Sequence, residues 1–398
     1  MYQHTTNPAL SNPALRSGAA YDVIVVGGRA AGAATAMLLA RSGLDVLVLE
    51  RGAYGADTLS THAIMRGGVL QLSRWGVLDE LVAAGTPPVK RTTFSYSDAQ
   101  VVIDIKASPG VDALYAPRRT VLDPALVRAA ADAGASIHHG TSVNRLLWRG
   151  DRVVGVHATT EDGRSVELFA PLVIGADGIR STIARNVDAP FTRVGEHIAG
   201  SVYGYWSDVE TNGFEWTFRP DACSGVIPTN NGQVCVFTVA RPTRLGRGRV
   251  GVIEEVLAEG APDVWERVRR GSAPKGARMW SGHVSYMRQS YGAGWALVGD
   301  AGYFKDPISA HGLTDAMRDA ELLARAVVDG WNGGASRDAL ADYQEARDRI
   351  SEDLFGITDR IASQQWDDAE ISELLIRLSA STNAELELLN SFAAEPVS

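Results

Sequence analysis

Short β-forming runs and longer helical stretches alternate along the first part of the chain. The apolar run at 23–26 is followed by glycines, by a helix-forming stretch at 30–41 and by a second strand at 45–50. This order is typical of a βαβ unit, so the pattern predicts a nucleotide-binding unit with a parallel sheet. Further buried strands are predicted at 171–174 and 295–298, which places pieces of one domain at the start, middle and end of the chain.

Between residues 197 and 240 the pattern changes to short aromatic strands separated by Asn-Gly turns, which predicts an antiparallel sheet. Long helices are predicted at 312–330 and 337–362. The expected fold is α/β: a discontinuous Rossmann-like nucleotide-binding domain, an inserted antiparallel β-sheet domain and C-terminal helices. The predicted boundaries are 1–20 for a disordered lead-in, 21–91, 112–196 and 280–345 for the nucleotide-binding domain, 92–111 and 197–279 for the inserted substrate-binding sheet, and 346–398 for a C-terminal helical segment.

The composition and net charge of the chain limit which binding partners and which cellular location are expected. The chain has 47 acidic residues against 38 Lys and Arg, a net charge of -9, which gives no general attraction for nucleic acid or an anionic membrane. The longest apolar run, 23–40, is interrupted by three glycines and an arginine, so no membrane span is predicted. Two cysteines are too few for a disulfide framework or a cysteine-rich metal site. A reduced cytoplasmic protein without a metal is expected.

A glycine-rich turn joins the first strand to the first helix. Gly27 suits a tight turn, Gly32 lets the helix pack closely on the strand, and the helix N-terminus then faces a pyrophosphate. Glu50 ends the second strand, where an acidic residue binds a ribose hydroxyl. Arg29 stands where the middle glycine of this fingerprint is usual. It either weakens the site or extends outward and lends it a positive charge.

Two later stretches carry further residues suited to a dinucleotide cofactor. In "PLVIGADGIRSTIAR", Asp177 and Gly178 follow a strand, and in "WALVGDAGYFKDPISAHGLTDAMRD", Asp300 ends another. A carboxylate at that strand end can accept a hydrogen bond from a ribityl hydroxyl. The loop after Pro307 directs the N-terminus of the helix that begins at Gly312, and such a positive helix end would stabilise a reduced, negative flavin.

These three motifs, in this order, resemble those of the FAD-dependent monooxygenases of the para-hydroxybenzoate hydroxylase type, over about residues 21–346. The resemblance implies FAD as the cofactor, with Arg29 an accepted variant of the turn. Departures concern the flavin contacts: Tyr303 replaces a usual histidine, and residues 310–314 replace the usual G-x-G-x-N. The cofactor-binding residues implied are Gly27, Gly28, Arg29, Ala31, Gly32, Glu50, Arg51, Arg119, Asp177, Gly178, Gly299, Asp300, Pro307, Gly312 and Leu313.

The resemblance also implies a reaction. NAD(P)H would reduce the flavin, and O2 would add at flavin C4a to give a hydroperoxide. That oxidant would hydroxylate or otherwise oxygenate a small or medium organic substrate, expected to be aromatic or polycyclic. The partners are this substrate and O2; a homodimer and a separate flavin reductase are left open. Secondary metabolism is the expected setting.

Two relatives on the same scaffold are the alternatives. A flavin-dependent reductase of the geranylgeranyl-reductase type would saturate a double bond, but the family's Y-x-W-x-F-P segment is missing. A flavin-dependent halogenase would need an early lysine and a W-x-W-x-I-P segment. Here the first lysine is Lys90, and Cys223 and Gly225 stand where the tryptophans would be.

Three side chains are candidates for catalysis: His62, His311 and Tyr205. His62 ends the segment DTLSTH after the second strand and is expected near the flavin as a proton donor or substrate hydrogen-bond partner, or else as a loop anchor. His311 precedes the helix aimed at the flavin and is expected to contact the ring or the substrate. Nearby, Lys305 and Asp306 are expected to pair with each other in solvent, with a direct role of Lys305 as the alternative.

Two aromatic stripes in the inserted sheet are candidates for a pocket wall. Alternation places Tyr203 and Tyr205 on one face and Trp206 on the other, and 214–218 carries a second stripe. One stripe is expected in the core and the other, with Tyr205, in an apolar pocket. The tail from residue 363 is expected to cap the substrate domain, to form a dimer contact or to lie as an amphipathic surface helix.

Overall fold

The computed structural model describes residues 14–96 and 99–392. Parts of three predicted segments lie outside the described residues: the first thirteen residues of the lead-in, residues 97 and 98 of the inserted sheet, and the last six residues of the C-terminal segment. The described end of the lead-in contacts the rest of the protein, since Leu15 is buried and Ala20 bridges to Phe169.

Nineteen strands and eleven helices make up the described residues. The strands are β1 (Val23–Val26), β2 (Val46–Leu49), β3 (Arg91–Tyr96), β4 (Ala99–Asp104), β5 (Ser136–His138), β6 (Ser142–Arg149), β7 (Arg152–Thr159), β8 (Ser165–Phe169), β9 (Leu172–Gly175), β10 (Phe191–Val194), β11 (Gly200–Ser207), β12 (Phe214–Arg219), β13 (Ala222–Pro228), β14 (Gln233–Ala240), β15 (Arg278–Trp280), β16 (Tyr286–Arg288), β17 (Tyr291–Gly292), β18 (Trp295–Leu297) and β19 (Tyr303–Phe304). The helices are α1 (Ala30–Arg41), α2 (Arg66–Arg74), α3 (Leu78–Ala83), α4 (Arg119–Asp132), α5 (Thr182–Asn186), α6 (Pro242–Leu245), α7 (Val250–Gly260), α8 (Pro262–Val268), α9 (Gly312–Asp329), α10 (Arg337–Ala362) and α11 (Asp368–Ser391).

A six-stranded sheet with the order β17-β18-β9-β1-β2-β5 organises the nucleotide-binding domain. β1 lies in parallel between β2 and β9, and β5 and β18 extend the parallel part on either side. β1, β2 and β9 are buried throughout, which explains why they read as continuous apolar runs. The predicted α/β fold with a discontinuous Rossmann-like domain is confirmed.

Alternate side chains of β1 enter two different apolar clusters. Val23 and Val25 pack with residues of α1, α4 and α9 on one face of the sheet. Ile24 and Val26 pack on the other face against the antiparallel sheet β6-β7-β8. The parallel sheet is thus covered by helices on one side and by a second sheet on the other, which leaves the carboxyl ends of its strands to build a binding cleft.

The second large sheet has seven strands in the order β15-β11-β14-β13-β12-β3-β4. Its neighbours pair antiparallel, apart from β3, which runs parallel to β12 with Thr92 opposite Phe214. This parallel pair departs from the expected antiparallel pattern. The reason is connectivity: the β3–β4 hairpin comes from an earlier part of the chain and joins the edge of a sheet built from later strands.

Both aromatic stripes lie on the same face of the seven-stranded sheet. Tyr203, Phe214, Trp216 and Phe218 belong to one apolar cluster, whereas Trp206 lies on the opposite face in the cluster that contains α7. The structure therefore does not divide the stripes between a core and a pocket. The face that carries both is turned toward the nucleotide-binding domain and the C-terminal helices, because Ile308 and Ile361 belong to the same cluster.

The C-terminal helix α11 packs against α10, α2 and β3. Ile371 and Leu374 near its start belong to the apolar cluster of the seven-stranded sheet, and Leu389 near its end belongs to the core of the nucleotide-binding domain. This one helix therefore contacts both parts of the protein. Among the described helices, none combines the length and apolar character needed to cross a membrane.

Candidate active site

The turn after β1 has the geometry that its glycines predict. Gly27 adopts a φ of 104°, in the region that favours glycine, and a Cβ there would overlap the carbonyl oxygen of Ala176. A Cβ on Gly32 would in turn overlap the carbonyl oxygen of Gly27. The N-terminus of α1 is therefore drawn tightly against the strand ends, and Gly28 follows the turn in the same cleft.

Glu50 closes the other side of this turn. Its two carboxylate oxygens accept hydrogen bonds from the backbone amides of Gly28 and Gly52, both at 2.7 Å. Arg29 lies in the same cleft, and its Nη1 is buried without a hydrogen-bond partner among the described residues. An unpartnered buried guanidinium nitrogen is costly unless an acceptor binds there. Of the two readings of Arg29, the structure favours a charge directed into the cleft.

The arginines near this cleft differ in their contacts. Arg119 opens α4 and donates two hydrogen bonds to Asp123, at 2.8 and 2.9 Å, and Asp123 lines the cleft. Arg51, directly after Glu50, is exposed. His139, which no sequence pattern identified, also lines the cleft, and its Nε2 is buried without a partner among the described residues.

Asp177 and Gly178 follow β9, as predicted. The Oδ2 of Asp177 accepts the backbone amide of Thr182 at 2.6 Å at the start of α5, while its Oδ1 is buried without a described partner. Burial raises the pKa of Asp177, against the hydrogen bonds it accepts. Gly178 has a φ of 76°, and a Cβ on it would meet no atom within 4 Å. The backbone here is open to a ligand.

Asp300 lies in a 3-10 turn, Gly299–Ala301, directly after β18. Burial raises the pKa of its carboxyl to about 6, although the positive charges of Lys305 and Arg119 oppose the effect. None of the described residues donates a hydrogen bond to this carboxylate. Gly299 has a φ of 59°, and a Cβ on it would come within 2.9 Å of the Cβ of Ala31. The 3-10 turn and α1 therefore form two adjoining walls.

The segment before α9 is held by buried contacts. Asp306 accepts the backbone amide of Ala199 at 2.9 Å and caps the 3-10 turn Pro307–Ser309 by accepting the amide of Ile308. Gly312 then opens α9; it is exposed, and a Cβ on it would meet no atom within 4 Å. Leu313 beside it is half-buried. The free amides of this helix start therefore face open space.

Lys305 and Asp306 do not form the expected pair in solvent. Both are buried; Lys305 forms an ion pair with Asp315 of α9, and Asp306 is occupied by backbone amides. Burial lowers the pKa of Lys305 to about 7 and raises that of Asp306 to about 7. The physical reason is topology: both residues directly follow β19, which leads the chain into the interior, where each finds a different partner.

His62 lies where the nucleotide-binding domain meets the seven-stranded sheet. Its Nε2 is 2.6 Å from the hydroxyl oxygen of Tyr205 in β11. The side chain is 1% exposed, and its Nδ1 has no hydrogen-bond partner among the described residues. Burial lowers the pKa of His62 well below its usual value, and three neighbouring guanidinium groups add to the effect. They belong to Arg118, Arg119 and Arg278.

The loop that carries His62 has an uncommon backbone conformation. His62 adopts a φ of 73°, a left-handed conformation rare for residues other than glycine. Its amide donates to the hydroxyl of Ser60, whose own amide donates to the hydroxyl of Tyr203. The inserted sheet thus holds this loop in place, and the conformation turns the imidazole of His62 toward Tyr205.

A small charged cluster surrounds this pair. The guanidinium group of Arg118 lies 3.6 Å from the ring centre of Tyr205 and donates to Asp57 at 3.1 Å. Arg278 of β15 contacts the same carboxylate at 2.8 Å. Sequence reasoning missed both arginines. Arg118 and Arg119 are adjacent at the start of a helix and therefore point in different directions: Arg118 toward Tyr205 and Arg119 toward the cofactor cleft. The Arg-Arg pair in "RRTVLD" was the signal in the sequence that could have identified Arg118.

His311 contacts the protein interior. Its Nε2 is 2.5 Å from a carboxylate oxygen of Glu385 in α11, and both residues are buried. Asp315 lies close enough for these three residues to hold a metal ion. However, Lys305 and Arg318 already form ion pairs with Asp315, and their positive charge opposes a cation. We assign no metal there.

Comparisons with known proteins agree with this architecture. The FAD binding domain family matches residues 20–357, and the chain belongs to that family. It is an FAD-dependent oxidoreductase.

The individual proteins that this chain resembles are distant in sequence. Digeranylgeranylglycerophospholipid reductase 1 of Methanopyrus kandleri is 27% identical over 396 residues, which cover 95% of this chain and 99% of the relative. Among solved structures, the flavin-dependent brominase Bmp2 has a TM-score of 0.77 at 19% identity, covering 94% of this chain and 100% of that one. PqsL, a probable FAD-dependent monooxygenase from Pseudomonas aeruginosa, has a TM-score of 0.73 at 17% identity, covering 92% and 100%. At these identities the structures establish the fold alone.

The residues of the cleft fit FAD. The glycine cradle at Gly27 and Gly32 leaves room for a pyrophosphate at the start of α1, beside the unpartnered Nη1 of Arg29. Glu50 and Asp300 present carboxylate oxygens to hydroxyl donors. The open amides at Gly312 can face the flavin ring. These roles remain predictions for the individual residues, while the cofactor follows from the family.

Proposed function

We propose that the protein is an FAD-dependent monooxygenase that uses NAD(P)H and O2 to hydroxylate or otherwise oxygenate a small or medium aromatic or polycyclic substrate. The His62–Tyr205 pair carries the proposal. Burial keeps the imidazole neutral, and burial also raises the pKa of the Tyr205 hydroxyl. Both groups are therefore poor proton donors, while the unpartnered Nδ1 of His62 is available as a hydrogen-bond acceptor.

A hydrogen-bond acceptor suits oxygenation of an electron-rich ring. Bound FAD, once reduced, supplies the oxygen-activating chemistry. His62 Nδ1 would accept a hydrogen bond from a substrate hydroxyl, which orients the substrate and raises the electron density of its ring. In this tautomer His62 Nε2–H donates to the Tyr205 oxygen, so Tyr205 fixes the orientation of the imidazole. Tyr205, half-buried at the edge of the aromatic cluster of the seven-stranded sheet, would pack on the substrate and help to exclude water.

A flavin-dependent reductase is the second candidate. The reductase of Methanopyrus kandleri is similar to this chain over nearly its whole length. Saturation of a double bond requires a proton donor beside the accepting carbon. Neither His62 nor Tyr205 suits that role, which is why we place this candidate second. A halogenase ranks third, because the first lysine of the chain is Lys90.

Rapid mixing with oxygen tests the proposal. The FAD-loaded protein is reduced without oxygen, mixed with oxygenated buffer, and followed by absorbance with and without a panel of phenols and fused-ring aromatics. We expect a transient spectrum that belongs to neither reduced nor oxidised flavin, a decay that responds to some ligands, and ¹⁸O from labelled O2 in their products. Direct return to oxidised flavin under every condition, with turnover on isoprenoid double bonds, would establish the reductase instead.

The electron donor is tested in the anaerobic half of the same experiment. We propose that NADH or NADPH binds transiently and reduces the flavin directly. Each nucleotide is mixed with the oxidised protein, and the rate of bleaching is recorded. Reduction by neither one, with full reduction by dithionite, would mean that a separate flavin reductase supplies the electrons.

His62→Ala is expected to lower the rate of substrate oxygenation by about 10-fold or more, because a hydrogen bond worth about 1.5 kcal/mol that orients the substrate is lost. Flavin reduction and FAD affinity should stay as in the wild type, because no step assigned to His62 precedes oxygenation. Tyr205→Phe is the milder matched variant, since it removes only the hydroxyl that contacts Nε2. Product formation is measured in single turnover.

The pH profile gives a second measure of the same group. Because the pKa of His62 is lowered, its neutral form persists below its usual titration range. The wild-type oxygenation rate should stay level as the pH falls through that range and decline only further down. A decline centred on the ordinary imidazole pKa, about 6.5, or an unchanged rate in His62→Ala, would contradict the role.

A further inference from the structure

The C-terminal helix reaches the start of the helix that faces the cofactor. Glu385 of α11 lies 74 residues downstream of His311, yet the two side chains meet at 2.5 Å in the interior. His311 is the residue directly before α9, and its carbonyl accepts the first helical hydrogen bond, from Asp315. A contact to the His311 side chain therefore acts on the backbone that presents the free amides of α9.

α11 is held in this position by α2. Arg74 of α2 donates to the carbonyl of Leu389 at 2.5 Å, near the end of α11. Gly67 of α2 lies where three helices meet, because a Cβ there would come within 3.0 Å of Leu389, 3.3 Å of Thr314 and 3.7 Å of Glu385. The absence of a side chain at Gly67 thus allows Glu385 to approach the first turn of α9.

Glu385 is also part of a charged group that is sealed from solvent. One of its oxygens lies 3.6 Å from Arg318, and Arg318 and Lys305 form ion pairs with Asp315. Burial alone would raise the pKa of Glu385, but its hydrogen bond with His311 and the positive charges of Arg318 and Lys305 outweigh burial and lower the pKa. Burial lowers the pKa of His311, so its Nε2–H donates to the carboxylate as a neutral imidazole. The carboxylate therefore contributes a full negative charge behind the helix start.

We propose that α11 is part of the flavin site: through its contact with His311, Glu385 fixes the N-terminus of α9, and its buried negative charge lowers the redox potential of the bound flavin. Both His311 and Glu385 act as positioning residues in this assignment. The proposal depends on FAD binding, which the family establishes, and it holds for a monooxygenase and for a reductase alike.

Two substitutions separate the effect of the charge of Glu385 from the effect of the length of its side chain. Glu385→Gln keeps an oxygen that can accept the His311 Nε2–H but removes the charge. Less negative charge behind α9 stabilises reduced flavin, so the ratio of reduced to oxidised FAD at a fixed potential should rise at least about tenfold, or about 30 mV for two electrons. Glu385→Asp keeps the charge but is one methylene shorter, and the displaced helix start should weaken FAD binding at least about tenfold.

The measurements are made on the full-length protein loaded with FAD. The potential is read by equilibration with a reference dye, FAD affinity by flavin fluorescence, and folding by thermal unfolding of the apoprotein. Glu387→Gln is the matched control, because the same substitution falls on the exposed side of the same helix and should change none of these values.

A wild-type potential in folded, FAD-loaded Glu385→Gln would overturn the proposal, since the carboxylate would then only pack α11 in place. If Glu385→Gln does not fold, Glu385→Asp is the deciding variant. Wild-type FAD affinity in that variant would overturn the proposal in the same way. Neither result depends on which substrate is oxidised, so a failure of the proposed function would be seen separately, in the oxygen experiment.

Discussion

Asp300→Ala is expected to lower the affinity for FAD by about 10- to 150-fold, the range of one hydrogen bond to a charged group. The reason is that the carboxylate of Asp300 is half-buried beside the cofactor cleft without a hydrogen-bond donor among the described residues. A ribityl hydroxyl would supply that donor. Titration of the apoprotein with FAD, followed by flavin fluorescence, gives the affinity directly.

The stability of the apoprotein distinguishes this role from a structural one. Because a half-buried carboxylate without a hydrogen-bond donor does not stabilise the fold, Asp300→Ala should leave the unfolding temperature of the apoprotein unchanged or slightly higher. An unfolding temperature well below the wild type, with FAD affinity preserved, would show that Asp300 supports the fold and that its placement against the cofactor is wrong.

The same carboxyl gives the affinity a pH dependence. Burial raises the pKa of Asp300 to about 6, and a hydroxyl donor favours the ionised form. FAD affinity should therefore be level above that pKa and fall as the pH decreases through it, because the carboxyl of the free protein becomes protonated. Asp300→Asn cannot titrate and should lose this pH dependence while keeping a similar shape.

The parts of the fold that the sequence predicted are those governed by local geometry. The turn at Gly27 and Gly32 was predictable because only glycine permits its φ and its close approach, whatever the rest of the chain does. β1 and α1 begin and end at their predicted residues, because their boundaries are also set by the local sequence. Asp300 is similar, since a strand end in a parallel sheet faces the cleft irrespective of distant contacts.

The parts that could not be predicted depend on contacts between distant segments. Nothing near His311 in the sequence indicates Glu385, because their contact requires α11 to return over α2. Lys305 was expected to pair with its neighbour Asp306, but burial makes each side chain seek a partner from another element. The alternation of residues correctly predicted which aromatic side chains of each strand share a face. It could not show that the aromatic faces of the two strands lie on the same side of the sheet, because that depends on how β13 and β14 pair between them.

The catalytic candidates show the same division. His62 was identified from its position after the second strand, and the structure places it against Tyr205, as a site between two domains would require. Its low pKa was not predictable, since it results from burial and from guanidinium groups on α4 and β15. The proposed chemistry changes accordingly: the sequence left His62 as a proton donor, a substrate hydrogen-bond partner or a loop anchor, whereas its environment favours a neutral imidazole that accepts a hydrogen bond.

Gly32→Ala is expected to abolish FAD binding and to reduce the unfolding free energy by about 1–3 kcal/mol or more. The added Cβ would overlap the carbonyl oxygen of Gly27 and approach the Cβ of Ala176 to 3.1 Å. Gly27 cannot yield, because its amide is bonded to Leu49 at 2.9 Å and its φ is 104°. α1 must therefore move away from β1 and open the pyrophosphate cradle. FAD content after purification and denaturant unfolding measure both effects.

Gly251→Ala is the matched control for this substitution. Gly251 also lies in the first turn of a helix, α7, but a Cβ on it would meet no atom within 4 Å. Alanine should be neutral there or stabilise the helix by up to about 1 kcal/mol, and FAD content should stay that of the wild type. If Gly32→Ala also retained FAD and stability, the tight packing of α1 on the strand ends would not be what forms the cofactor cleft, and the assignment of Gly27, Gly28 and Arg29 to the pyrophosphate would fail with it.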